Sequence, residues 1–298
     1  MWPSVSVFVL LVSWRLSPGG AGTHDIPLES AIGAGPERLQ AVEQRLSQLS
    51  AHLAQLDGRL EARLAQRADG EWRPEDCSAV QQRHRLSGTY TVYPPTCGNG
   101  GGIRVYCDME TDGGGWTVIS RRDDVPHHQD FNLNWQSYKW GFGNLSAEFW
   151  LGNEYLNLLT SLDQVQLRVD LEDWENGTAY ATYTPFSVGT EEQQFALSIG
   201  KYDGTAGNSL AYVNGMKFTT KDRDNDKTSP NCAVQFQNGW WFKDCFNANL
   251  LGKYSKTATI PAWKGLVWKD WKGEKYSLKH ASMKIRPLHH TQWCHRLL

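Results

Sequence analysis

Long hydrophobic runs are missing from this 298-residue sequence: nowhere do 18 apolar residues follow one another. That excludes a membrane-spanning helix. A surplus of one charge is missing too. Thirty Lys and Arg stand against 32 Asp and Glu, for a net charge of −2. A protein that grips the phosphates of nucleic acid needs a marked basic excess, so that class is set aside. Catalytic signatures are absent: there is no Gly-x-Ser-x-Gly elbow, no His-Glu-x-x-His and no phosphate-cradling loop. The pairs His127/His128 and His289/His290, and His295 near the end, lie in polar stretches and read as solvated loops. Nothing in the spacing of Asp and Glu places two of them together as an acid–base pair. Cysteine is scarce, with six residues and no Cys-x-x-Cys pair, which argues against a zinc site.

What is abundant is glycine, at 28, and tryptophan, at 14. That mixture favours short strands and many loops over a helical bundle. At the N-terminus Val5 to Val12 form a short apolar run, followed by Gly19, Gly20, Ala21 and Gly22. A short apolar core before small residues reads as a secretory signal, residues 1–22, with cleavage near Ala21 or Gly22. Secretion to the extracellular space suits the even set of Cys77, Cys97, Cys107, Cys232, Cys245 and Cys294, since thiols pair in an oxidising compartment. It also suits the glycosylation sequons at Asn144-Leu145-Ser146 and Asn176-Gly177-Thr178.

Residues 23–36 are aperiodic and read as a linker. From Leu39 the pattern changes: Leu39, Val42, Leu46, Leu49, Leu53, Leu56 and Leu60 alternate steps of three and four. That is the a/d stripe of a short coiled coil over residues 37–67. A lone helix of this length is marginal in water and must bury its leucines. The strict spacing favours a second copy of the same chain over the globular domain as the partner. Leucine at both a and d leaves dimer, trimer and tetramer open. Gly58 costs about 1 kcal/mol of helix propensity, so the coil is short and weak.

Beyond Arg67 the periodicity stops and β-rich stretches recur at Gly88–Tyr93, Ile103–Cys107, Trp116–Ser120, Val165–Leu171, Ala179–Tyr183, Phe195–Ile199 and Ser282–Ile285. Short helices are expected at Ala147–Leu151 and Glu154–Leu159. This is an α+β fold around an irregular antiparallel sheet, with long loops late in the chain. A set of motifs runs in fixed order through the same region. It begins with Asp76-Cys77, Ser87-Gly88-Thr89-Tyr90 and Val105-Tyr106-Cys107-Asp108-Met109. Gly113-Gly114-Gly115-Trp116-Thr117-Val118 and Glu148-Phe149-Trp150-Leu151-Gly152-Asn153 follow, then Asn231-Cys232-Ala233, Gly239-Trp240-Trp241-Phe242 and Met283-Lys284-Ile285-Arg286-Pro287. In this order the set resembles the fibrinogen C-terminal globular domain family over residues 73–287, which leaves 288–298 as a tail. The layout of coil and domain, and the stretch Ile199 to Gly207, look most like the hepassocin-type members.

The resemblance implies two disulfides, Cys77–Cys107 and Cys232–Cys245. Cys97 and Cys294 depart from the family pattern and either pair with each other or link chains. Carboxylates alternate along Asp222-Arg223-Asp224-Asn225-Asp226, which suits a hard cation. This is no EF-hand, because Lys227 and Ala233 stand at the sixth and twelfth positions. The resemblance implies a structural Ca2+ on Asp224 and Asp226 with the backbone carbonyls of Thr228 and Pro230. It also implies a recognition pocket beside that ion, lined here by Gln235, Phe236, Asp244, Cys245, Phe246 and Trp263, with a cis peptide before Cys245. Fibrinogen grips a cationic peptide knob with acidic residues and a histidine at these places, and ficolin-type lectins use the histidine for an acetyl group. Phe246 replaces that histidine, and the carboxylates are gone. Trp240 and Trp241 read as core, whereas Phe236, Phe246 and Trp263 read as an exposed apolar patch for a protein contact. The reading is a non-enzymatic, oligomeric ligand of a cell-surface receptor, growth- or immune-regulatory. A calcium-dependent lectin for acetylated glycans and an extracellular-matrix protein are the alternatives.

Overall fold

The computed structural model describes residues 45, 48–51, 53, 56, 72–94, 101–161 and 164–288. The chain divides into two compact units, Met1–Trp72 and Arg73–Leu298. In the first, the described part of the leucine stripe is helical, and Leu49, Leu53 and Leu56 are 59%, 64% and 55% exposed. The expected signal segment, the linker, Cys97, Cys294, His289, His290 and residues 289–298 of the tail lie outside the described residues, as does the rest of the coil.

The second unit is built on a sheet whose strands follow from period-two patterning. In Val165–Glu172 the residues Val165, Leu167, Val169 and Leu171 are buried, and the alternate Gln166, Arg168, Asp170 and Glu172 face outward. We number the strands β1 (Gly88–Val92), β2 (Ile103–Asp108), β3 (Trp116–Arg122), β4 (Phe142–Gly143), β5 (Phe149–Trp150), β6 (Val165–Glu172), β7 (Thr178–Val188), β8 (Leu197–Gly204), β9 (Ala248–Asn249), β10 (Val267–Trp268) and β11 (His280–Pro287). The main sheet runs β1-β2-β3-β11-β6-β7-β8, antiparallel throughout, with β4 and β5 added beside β3. β9 and β10 pair separately. The last strand therefore sits at the centre, between β3 and β6. Among the described residues five short helices flank the strands: α1 (Cys77–Gln81), α2 (Trp135–Trp140), α3 (Asn153–Ser161), α4 (Cys232–Phe236) and α5 (Lys269–Lys272). Asp76, Asn134 and Asn231 cap α1, α2 and α4 by accepting from free amides of the first turn.

One expected helix is a strand. Phe149 and Trp150, within Ala147–Leu151, form β5 and pair with β3 and β4. Phe149, Trp150 and Leu151 are all buried. An amphipathic helix buries one stripe, whereas a strand lying between other elements buries both of its faces. Gly141, at φ 85°, makes the close turn possible: a Cβ there would stand 2.1 Å from the Leu151 carbonyl oxygen. β8 begins at Leu197 because Phe195 takes a positive φ of 50°.

Two ion-pair systems hold the sheet. On its outer face the Lys284 Nζ lies 2.6 Å from Asp108 and 2.9 Å from Asp170, and Asp170 takes the Arg168 Nε at 2.8 Å. Burial pushes the Asp108 carboxyl up, but its bonds to Lys284 and Thr111 outweigh that and hold it well below the usual carboxylate range. Deeper, the Arg122 Nε donates to Glu148 at 3.0 Å, with both side chains 1% exposed, and the Arg122 Nη1 donates to the Gly252 carbonyl at 2.7 Å. The other Glu148 oxygen accepts the Gln129 amide and lies 3.1 Å from the His128 Nδ1. The His128 ring stacks on Tyr254, with 4.1 Å between centroids. His128 is thus packed against the core, unlike the solvated loop expected for it, while His127 is exposed.

Replacing Arg122 by Met should cost about 3–5 kcal/mol in urea unfolding, because Glu148 is left charged and buried. The double variant Arg122→Met with Glu148→Leu should recover much of the loss; no recovery would mean that packing, not the orphaned charge, sets the cost. Asp108 carries a pH signature. A depressed folded pKa stabilises above the unfolded value of about 4 and is lost as pH falls through the folded value. Asp108→Asn should therefore lower the urea midpoint at pH 7, and the gap to the parent should close below about pH 4.

Candidate functional site

The segment from Phe218 to Leu250 positions all of the expected ion and pocket residues except Trp263. It holds one helix turn, and side chains tie it down. Cys232 opens α4 and is bonded to Cys245, with Cα atoms 5.8 Å apart. The second disulfide, Cys77–Cys107, fastens α1 to β2. The Asn238 and Asn249 amides bond each other at 2.9 and 3.1 Å in the interior. The Tyr212 hydroxyl donates to the Asp244 carbonyl at 2.8 Å, and the Lys227 amide donates to the Lys243 carbonyl at 2.9 Å. That last bond joins the acidic loop to the disulfide loop. The peptide between Asp244 and Cys245 is trans, contrary to expectation; the cis bonds among the described residues precede Pro185 and Pro230. The trans form avoids the roughly 3–4 kcal/mol of a non-proline cis bond.

The structure sorts the alternating carboxylates. Asp222 turns away to accept the Trp135 amide at 2.9 Å and the Thr220 hydroxyl at 2.7 Å. Asn225 turns inward and donates to the Phe218 carbonyl at 2.7 Å. Asp224 and Asp226 remain. Asp224 accepts the Asp226 amide at 3.2 Å, and Asp226 accepts the Thr228 and Cys232 amides at 2.9 and 2.8 Å. Burial pushes the Asp226 carboxyl up, and the neighbouring Asp224 charge adds to it. Neither carboxylate has a salt-bridge partner among the described residues. No group of three or more His, Cys, Asp or Glu converges for a metal among them either. A cation here would rest on two carboxylates and on backbone oxygens. Thr228 and Pro230 offer carbonyls on which no hydrogen bond ends among the described residues. Such an all-oxygen set fits a hard ion of the calcium type.

The aromatic residues come together as a floor. Phe236 meets Phe246 edge to face at 4.8 Å, Phe246 meets Trp263 the same way at 5.4 Å, and Phe242 lies 5.9 Å from Phe246. Phe246 is only 5% exposed. It is a buried post under the patch, not part of its surface as expected, because Phe236, Phe242 and Trp263 close over it. Phe236 and Trp263 are half-buried, Gln235 and Asp244 are exposed, and Trp240 and Trp241 are core. The Lys264 Nζ donates to the Gln235 carbonyl at 2.9 Å and sits 4.9 Å from the Phe236 ring. Sequence reasoning missed Lys264 and Tyr212, since no periodicity links positions that far apart. Asn144 and Asn176, the sequon residues, are both exposed.

The model of the "Fibrinogen beta and gamma chains, C-terminal globular domain" matches residues 73–288. The chain belongs to this fibrinogen family. Fibrinogen C domain-containing protein 1-B of Xenopus laevis is 41% identical over 266 residues, which is 87% of this chain and 55% of that protein. Techylectin-5A of Tachypleus tridentatus is 43% identical over 217 residues, 72% of this chain and 74% of that protein. The chain spans about half the length of the fibrinogen C domain-containing relatives it matches. Among solved structures, the fibrinogen-like globe domain of human ANGPTL2 aligns with a TM-score of 0.68 at 39% identity, covering 72% of this chain and 99% of that one. Lamprey fibrin D-dimer, complexed with the peptide Gly-His-Arg-Pro-amide, aligns with a TM-score of 0.68 at 30% identity, covering 91% of this chain and 94% of that one. Among the described residues no helix is long and apolar enough to cross a membrane.

The burial difference inside the floor is measurable. Phe246→Ala should cost about 3–5 kcal/mol of stability, and Trp263→Ala, half-buried at the rim, should cost less than half of that. Urea unfolding of the two variants checks the order.

Proposed function

We propose that this chain is a secreted, oligomeric, non-enzymatic ligand that engages a cell-surface protein through the face made by Phe236 and Trp263 over Phe246. The observation that carries the reading is the half-buried aromatic floor held by a disulfide and joined to an acidic loop by a backbone bond. Half-buried rings at the centre of a rigid surface are the anatomy of protein contacts. Asp224, Asp226 and the carbonyls of Thr228 and Pro230 hold Ca2+ as a loop organiser. The leucine stripe of residues 37–67 brings copies together and multiplies weak contacts into avidity. Asn144 and Asn176 carry glycans, and a growth- or immune-regulatory effect is what the family resemblance implies. The lectin reading draws support from a relative named techylectin-5A; Phe246, in place of the family's histidine, weighs against it.

The deciding experiment offers the labelled protein to cultured cells and to acetylglucosamine resin. Binding to cells should vanish after protease treatment of the cell surface and fall with Trp263→Ala. Resin retention that EDTA abolishes would install the lectin reading instead. For the ion, calcium at about 1 mM should stabilise by about 0.4–1.4 kcal/mol, for affinities of about 10⁻⁴–10⁻³ M. That corresponds to a melting shift of a few degrees. Asp224→Ala with Asp226→Ala should abolish the shift, and an unchanged shift places the ion elsewhere. Deleting residues 37–66 should reduce the mass seen in sedimentation.

A further inference from the structure

Trp140, at 52%, is the one exposed aromatic residue among those described. Its ring is nevertheless held in place. The Lys139 Nζ lies 4.8 Å from the ring centre and is itself fixed to Glu191 at 2.6 Å. The Tyr155 ring meets the indole edge-on at 6.4 Å. A lone exposed ring on a convex surface needs no explanation, but Trp140 lines a groove of about 310 Å³, at the small end of ligand sites. Half-buried Phe142, Leu145 and Tyr155 line it too, and the exposed Arg104 contributes a guanidinium.

The same groove takes in the turn that carries a glycosylation sequon. Gly143 and Leu145, on either side of Asn144, both line it. Asn144-Leu145-Ser146 lies between the paired strands β4 and β5. The turn is closed by the Asn144 amide on the Glu148 carbonyl at 2.9 Å and by the Ala147 amide on the Asn144 carbonyl at 2.8 Å. The Arg121 Nη1 donates to the Leu145 carbonyl at 3.1 Å and ties the turn to β3. The Asn144 Oδ1 accepts the Ser146 amide at 2.9 Å. That bond orients the exposed side chain and leaves the Nδ2, the atom to which a sequon's glycan is joined, free of hydrogen bonds among the described residues.

We infer that the Trp140 groove is the docking site for the core sugars of this chain's own Asn144 glycan, with the apolar face of a pyranose ring against the indole and its polar edge towards Arg104. This rests on the reading of Asn144 as glycosylated and adds where the sugar lies. A pyranose has a C–H face and a rim of hydroxyl and acetamido groups, and a groove with an open indole and a guanidinium accepts both. The tether matters as much as the contacts. A sugar held a few bonds away has an effective concentration of about millimolar or more, so weak stacking suffices. The turn is already ordered, which removes part of the entropic cost of docking. A glycan so placed covers the exposed indole and keeps it from other chains.

The test uses the full chain secreted from mammalian cells in an Asn176→Gln background, so that Asn144 is the one sequon left. Glycopeptide mass spectrometry first reads occupancy; an unmodified Asn144 would overturn both the glycosylation and the docking. With the sugar present, Ser146→Ala removes the sequon and keeps the amide on the Asn144 Oδ1. It should lower the melting temperature by about 2–4 °C. In a Trp140→Ala background the same change should cost less than half as much, because the ring and the sugar act as one unit. Equal losses in the two backgrounds would overturn the docking and leave the glycosylation standing. NMR with isotopically labelled N-acetylglucosamine gives a readout independent of stability. At least one acetyl methyl should lie upfield of its position in the released glycan, through the indole ring current, and should return in Trp140→Ala. Shifts identical to those of the released glycan, or an upfield shift that survives Trp140→Ala, would overturn the inference.

Discussion

Backbone polar groups in a buried, irregular segment must find partners, and that requirement shapes the loop-rich stretch late in this chain. Between Thr205 and Ser277 there are only two helices of five residues or fewer, one 3-10 turn and two two-residue strands. Ladder bonds cannot satisfy such a stretch. Side chains do so instead. Asn225 donates to the Phe218 carbonyl, Asn231 to Thr220, and the Trp241 and Trp268 indoles to Phe195 and Ala206. Tyr138 serves twice, donating to the Phe131 carbonyl at 2.7 Å and accepting the Gly239 amide at 2.9 Å. Burial pushes its phenol well above the ordinary range, so it stays a neutral donor.

The same economy explains the many tryptophans. Trp116, Trp150, Trp240, Trp241 and Trp268 are among the largest fully buried side chains. Trp150 and Trp241 meet each other and both pack on Phe218. A large ring fills space that regular elements would otherwise fill, and the indole N–H of Trp116, Trp150, Trp241 and Trp268 donates to a backbone carbonyl, whereas that of Trp240 is buried without a partner. Loops packed this way behave as core while leaving their outer edge free for contacts.

Legibility followed the kind of interaction. β6 and β2 were readable because alternation is local, and every odd residue from Val165 to Leu171 is buried. β5 was not, because three neighbouring apolar residues carry no period and only the partners β3 and β4 decide their state. The acidic loop showed its residue types, but the division of labour among Asp222, Asp224 and Asp226 depends on Trp135, almost ninety positions away in the chain. The membership of the aromatic floor was legible through family resemblance. That Phe246 is its buried post was not, since burial is set by Phe236, Phe242 and Trp263 converging on it.

The bonds from the Lys227 amide to Lys243 and from the Cys232 amide to Asp226 have a thermodynamic corollary. Ordering one of the two loops they link removes part of the entropy that the other must lose when it is occupied. Occupants of the two loops would therefore be reciprocal effectors, each tightening the other by the same factor.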